Sequence, residues 1–326
     1  MRLMRLAGPL WFPLVIAAQQ PAVSAPVTAP PKLPPPAGYR VLIVPDMEGM
    51  GSAVDIHEVI AGNEGEQYRT LTSDDYWNRF RGLLTQEVNV VIAGARAAGA
   101  GSFVVNEGHG GNLFANVLPW DLDTAAILVR GFPKPLIMIT GIDSSVGTLI
   151  FTGAHASAGM PGILSHNFAF DTFTVNGTKL NEVGINALIA SEFGVAVSMV
   201  SGDDVLIRET RAILGNDFVG VTTKYAVGRM AAITFSPARV RHMLQDSAVV
   251  AVRRAMRGGF RPYRLQKPYR VEFALRRSYP DLVVQGVDSL HWQGLEKTGD
   301  RSYRLVTSDA RAMGYLLDAI ERVVLR

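Results

Sequence analysis

Four short, continuously apolar β-type runs restrict the fold of this chain more than any other feature. They are Arg40–Pro45 (RVLIVP), Ser102–Asn106 (SFVVN), residues 147–153 (GTLIFTG) and residues 195–201 (VAVSMVS). A strand with one wet face alternates apolar and polar residues, whereas a strand covered on both faces stays apolar throughout. Helical patterns lie between the runs. In residues 74–98 the apolar positions Leu83, Leu84, Val88, Val91, Ile92 and Ala95 recur at helical spacing. Residues 181–193 and 237–256 read as further helices. The expected class is therefore α/β, with a mostly parallel sheet flanked by helices.

Residues 173–180 predict a β-hairpin, with Asn176-Gly177 as its type I′ turn. After about residue 205 the pattern changes to a helical stretch, a β-type run at 269–275 and a final helix over 309–324. This predicts a second, smaller α/β region at 206–326 behind a first α/β domain at 39–205. Residues 1–18 have the layout of a secretory signal, Arg2 and Arg5 followed by a short apolar stretch broken by Pro9 and Pro13. Residues 19–38 are Pro-rich with almost nothing able to pack, and read as an extended tether. The expectation is an exported chain, periplasmic or secreted, with no stable membrane insertion after cleavage; an uncleaved anchor is the alternative. The chain has no Cys, so disulfides and lipoprotein attachment are excluded. Its formal charge of +3 includes Arg2 and Arg5, and acids and bases mix along the rest. No basic run with interleaved aromatics marks a nucleic-acid partner.

Each of the first three strand candidates ends in residues able to hold a metal. The first runs into Asp46-Met47-Glu48-Gly49, where residues two apart on extended backbone face one side. The second runs into Asn106-Glu107-Gly108-His109-Gly110, the third into Ala154-His155. In open parallel sheets ligands bind just outside the carboxyl ends of the strands, so these acids and imidazoles converge on one crevice. The competing reading, a phosphate loop at GHGGN, matches neither the P-loop nor the GxGxxG spacing.

Glu182 follows the hairpin at a helix start, with Asn181 as N-cap; it reads either as a ligand or as a first-turn acid complementing the helix dipole. His166, beside apolar residues, reads first as a hydrogen-bonded core histidine. Asp203-Asp204 read as caps of the next helix or bridges of a loop, with a ligand role as the alternative, and His57, His242 and His291 as surface or structural residues. Two imidazoles and three carboxylates suit zinc, with manganese or cobalt as substitutes. Five protein ligands exceed what one catalytic zinc takes, and a shared carboxylate would divide them between two ions about 3.5–4 Å apart. GxSxG is absent and no thiol exists, so metal-dependent hydrolysis is the economical expectation.

The motifs Asp46-Met47-Glu48-Gly49, Asn106-Glu107-Gly108-His109-Gly110, Gly153-Ala154-His155-Ala156, Pro161-Gly162-Ile163-Leu164-Ser165-His166, Asn181-Glu182-Val183-Gly184 and Ser201-Gly202-Asp203-Asp204 occur in one order. Together they resemble the zinc D-aminopeptidases of the DppA type, from about Tyr39 to the C-terminus. The resemblance implies a metallo-aminopeptidase that releases N-terminal D-amino acids from short peptides. It implies Asp46, Glu48, His109, His155 and Glu182 as ligands of two zinc ions, with Asp46 bridging, and His166 as a catalytic residue that positions or protonates the reacting group. It also implies a homo-oligomer, a decameric ring enclosing a chamber. Two departures stand out: Glu107 replaces a commoner Asp, and extra residues occupy the region around 56–68. Two alternatives stay open, an amidase or esterase acting on other substrates and a periplasmic peptide-binding protein.

Overall fold

The computed structural model describes residues 32–60 and 73–325. The expected leader at 1–18, residues 19–31 of the Pro-rich stretch and residues 61–68 of the expected insertion lie outside the described residues. In chain order the elements are β1 (Arg40–Pro45), α1 (Ile56–Val59), α2 (Ser73–Ala97), β2 (Ser102–Asn106), β3 (Ala126–Val129), β4 (Val146–Ala154), β5 (Phe170–Val175) and β6 (Thr178–Lys179). There follow α3 (Glu182–Ala190), β7 (Val197–Asp203), α4 (Asp204–Leu214), β8 (Val219–Gly228), β9 (Ala231–Thr234) and α5 (Pro237–Met256). The chain ends with β10 (Tyr269–Leu275), α6 (Asp281–Asp288), β11 (Leu295–Lys297), β12 (Ser302–Thr307) and α7 (Arg311–Val324).

The four apolar runs form the centre of a seven-stranded sheet ordered β3-β2-β1-β4-β7-β8-β9. All its pairings are parallel except β8 with β9. Alternate residues of β1 explain its unbroken apolarity. Val41 and Ile43 pack on one face with Leu84, Val88 and Ile92 of α2 and Val240 and Leu244 of α5. Leu42 and Val44 pack on the other with Ile185 and Leu188 of α3 and Leu316 and Leu317 of α7. The mostly parallel, helix-flanked sheet is thus as the sequence predicts.

A second sheet, ordered β11-β12-β10-β5-β6, is antiparallel. Its aromatic residues Phe173, Phe273 and Tyr303 stack in one run, with Phe170 tilted against the first two. The predicted hairpin is present: Asn176 and Gly177 both have positive φ, 52° and 78°, as a type I′ turn requires. Its strand β5 pairs with β10, Phe173 opposite Phe273. Both sheets therefore take chain from either side of residue 205. The fourth apolar run enters the sheet two residues late, at Val197, because the Val195 amide still bonds back to the Ala190 carbonyl at the end of α3. Among the described residues no helix is long and apolar enough to cross a membrane.

Candidate metal centre

The carboxyl ends of β1, β2 and β4 carry their polar residues to one place, and α3 closes it from the side. Asp46, the first residue past β1, donates its backbone N–H to Thr152 O of β4 (2.8 Å). Gly49 then donates to Gly153 O (2.6 Å), so the loop turns back across the end of β4. The approach leaves no space for a side chain: a Cβ on Gly49 would lie 1.9 Å from Ala154 O. Residue 182 begins α3 because Asn181 caps the helix, its Oδ1 accepting from Gly184 N (2.8 Å). The capping and ligand readings of this turn therefore coexist, in adjacent residues.

All five expected ligands are buried and face one another. Asp46 Oδ1 lies 3.3 Å and Glu48 Oε2 3.0 Å from His109 Nδ1. On its other side Asp46 Oδ2 lies 3.5 Å from His155 Nε2, which is 3.7 Å from Glu182 Oε2. Three sets of ligand atoms lie mutually within 4.8 Å: Asp46, Glu48 and His109; Asp46, His155 and Glu182; and Glu48, His155 and His166. Asp46 belongs to the first two sets.

The imidazoles are oriented from behind. His109 Nε2 donates to Val59 O (2.7 Å) and His155 Nδ1 to Ala156 O (3.0 Å), since a carbonyl can only accept. Each ring is left to present its other nitrogen to the carboxylates, the arrangement found behind metal-ligating histidines. His166 follows suit: Nδ1 bonds Leu164 O (2.8 Å), and Nε2 faces Glu48 Oε1 at 3.9 Å. Its side chain is 28% exposed, while those of the five expected ligands are 2–8% exposed, so it forms the open wall of the cluster.

The donor set fits a divalent cation on electrostatic grounds. Burial and the neighbouring Glu48 charge push Asp46 up to about 7. Burial, with Glu48 adding to it, pushes Glu182 up to about 8. His109 is pulled well above the ordinary imidazole value, against the effect of burial, by the Glu48 and Asp46 carboxylates. Glu48 is correspondingly held well below the usual range: burial opposes this, but His109 prevails. Burial and the adjacent His155 push His166 down. Three carboxylates without water demand positive charge at the atoms they share, and protons or a metal ion meet the same demand.

Other polar residues stand apart from these five. Asp203 caps α4, accepting from Leu206 N (2.7 Å) and Ile163 N (2.6 Å), and Asp204 accepts from Ala226 N (2.8 Å). His242 and His291 are exposed, and His57 is buried within the capped turn of α1. Sequence reasoning missed the supports of the β2 loop. Glu107 takes the amides of Asn116 and Val117, and Asn116 Nδ2 holds His109 O (2.9 Å). The buried Lys134 ammonium bonds Asn106 Oδ1 (2.7 Å) and Glu107 O (2.5 Å). No spacing signal marks these partners, since each lies in a loop whose course is set by tertiary packing.

A protein-family model described as D-aminopeptidase matches residues 39–317. A D-aminopeptidase of Bacillus subtilis (strain 168) is 31% identical over 212 residues, 64% of this chain and 71% of that relative. Among solved structures, the Zn-dependent D-aminopeptidase DppA from Bacillus subtilis, described as a self-compartmentalizing protease, superposes with a TM-score of 0.74. That likeness covers 88% of this chain and 98% of the other at 24% identity, and it bears on the fold.

Proposed function

The chain belongs to the D-aminopeptidase family, and from that premise we propose that it is a zinc aminopeptidase removing N-terminal D-amino acids from short peptides. The observation that carries this reading is the double engagement of Asp46, whose two oxygens face His109 and His155 on opposite sides. It supports two ions per chain: one would be held by Asp46, Glu48 and His109, the other by Asp46, His155 and Glu182. Zinc in such sites supplies Lewis acidity, which polarises a carbonyl and makes water a nucleophile near neutral pH.

The chain's own groups do the rest. Burial beside His155 keeps His166 neutral, and its Nδ1 bond to Leu164 O leaves a lone pair on Nε2. That atom faces the cluster from the open side, where it can take a proton from attacking water and return it to the departing amine. Glu182 is fixed by Phe168 N, which donates to its Oε1 (2.6 Å). The segment from His166 to Phe168 and the ligand Glu182 are thereby held together.

The test is metal content measured beside hydrolysis of D-Ala and L-Ala p-nitroanilides, with and without chelator. About two zinc ions per chain and chelator-sensitive release from the D substrate are expected. Loss of cleavage when the substrate amine is acetylated separates an aminopeptidase from an amidase or esterase. Metal bound without cleavage of any substrate would favour a binding protein. We further propose an exported protein that assembles into a homo-oligomeric ring, for which a decamer is the expected state. Sequencing the mature N-terminus and light scattering on the purified chain check these two points.

A further inference from the structure

The loop that carries Asp46 and Glu48 is gripped from a strand three positions away in the sheet. Lys224 of β8 is fully buried, and its ammonium donates to Glu48 O, to Met50 O (2.8 Å) and to Ala53 O. An ammonium has three N–H donors, so all three are spent on this loop. The preceding residue adds to the grip: Thr223 Oγ1 lies 2.9 Å from Gly49 O and 3.0 Å from Gly202 O, sharing its proton between them. From α2, Glu87 Oε1 accepts Gly51 N (3.2 Å).

Four carbonyls of one short loop thus find donors on two adjacent residues more than 170 positions later in the chain. Buried carbonyls require partners, and without these donors the loop would have to shift toward water. Any such shift moves the Glu48 backbone, from which a ligand carboxylate projects.

We propose that Lys224, assisted by Thr223, is a positioning residue of the metal centre, locking the 48–53 loop so that Asp46 and Glu48 are held in ligating geometry before metal binds. This rests on the metal-centre reading above. Partners that orient metal ligands typically carry 10- to 100-fold of metal affinity, roughly the loss expected here.

The experiment is a chelator-competition titration of zinc on the whole chain, comparing wild type with Lys224→Met, Thr223→Val and Val221→Ala. Lys224→Met keeps the aliphatic stem and removes the donors; about 10- to 100-fold weaker zinc binding is expected. Thr223→Val removes one donor without changing shape and should weaken binding by a smaller factor. Val221 is a core residue of the same strand, in the α2–α5 face cluster. Val221→Ala should lower the melting temperature and leave zinc affinity unchanged. In Lys224→Ala, propylamine should restore part of the affinity by returning an ammonium to the cavity. Wild-type affinity in Lys224→Met overturns the inference, and if that variant does not fold, wild-type affinity in Thr223→Val overturns it instead. A wild-type chain that binds no zinc would sink the metal centre, and this inference with it.

Discussion

The imidazole rings of His155 and His166 stack face to face, with centroids 3.9 Å apart and planes inclined by 11°. Two rings so placed cannot both carry a proton cheaply, because like charges at that separation repel. His155 Nε2 faces Asp46 and Glu182, while His166 looks into the open side of the cluster. On the proposed reading the pair would divide the work, His155 holding metal and His166 exchanging protons.

Replacing His166 by Ala should lower kcat by about 100- to 10,000-fold, the usual range for a lost acid–base group, with zinc content unchanged. Zinc content that falls with activity would make His166 a ligand, as its grouping with Glu48 and His155 permits. Full turnover in a metal-replete variant would remove it from the chemistry altogether.

Asp46 and Glu182 should differ in how much metal they govern. Asp46→Ala removes a carboxylate that faces both imidazole ligands and should leave the chain with almost no zinc. Glu182→Gln touches one side only and should reduce the content by about one ion per chain. Elemental analysis after dialysis separates the two cases; equal losses would contradict a bridging Asp46.

Metal binding should release protons, and affinity should rise with pH between about 6 and 8. The sign follows from two raised carboxyls, Asp46 at about 7 and Glu182 at about 8. Folded, metal-free chain keeps protons on these groups that unfolded chain has lost above about pH 4. Their contribution to metal-free stability therefore falls as pH rises through 7 and 8. Zinc requires the ionised forms, so the gap in melting temperature between zinc-loaded and metal-free protein should widen across that window. Calorimetric titration in buffers of different ionisation enthalpy gives the proton count, and a count of zero would refute the assignment.

Gly49→Ala and Gly110→Ala make a matched pair. A Cβ at Gly49 would meet Ala154 O at 1.9 Å and Gly153 O at 2.5 Å, backbone atoms that cannot swing aside. At Gly110 the nearest atom is Phe114 Cζ at 3.8 Å, an ordinary contact. The first change should cost about 2 kcal/mol or more of stability and weaken zinc binding by displacing Glu48. The second should stay within about 0.5 kcal/mol of wild type. Denaturant titration of the two variants checks this.

Much of the sheet was legible because its signal is local. Arg40–Pro45 and Ser102–Asn106 are apolar at every interior position since both faces are covered, and a window of six residues shows that. α2, α3 and α5 announce themselves by helical periodicity and by caps such as Asn181. The placement of Asp46, His109 and His155 followed from one rule, that parallel strands deliver their next residues to a common edge. The short, partly exposed strands β3, β9 and β11 gave no such signal, for their pairing is decided by neighbours rather than by their own composition.

By itself, then, the order of residues determined the class of fold, the turn at Asn176-Gly177 and the gathering of acids and imidazoles at strand ends. Tertiary structure alone decided that β5 joins β10 in a second sheet, that Asp46 faces two imidazoles at once, and that Lys224 closes on the Glu48–Ala53 loop. The reason is range. Periodicity and capping are properties of neighbours along the chain, whereas the burial of an ammonium or the sharing of a carboxylate depends on segments 63 to 176 residues apart. A lysine in a strand has the same letter whether its charge meets water or three carbonyl oxygens, and only the packed chain distinguishes them.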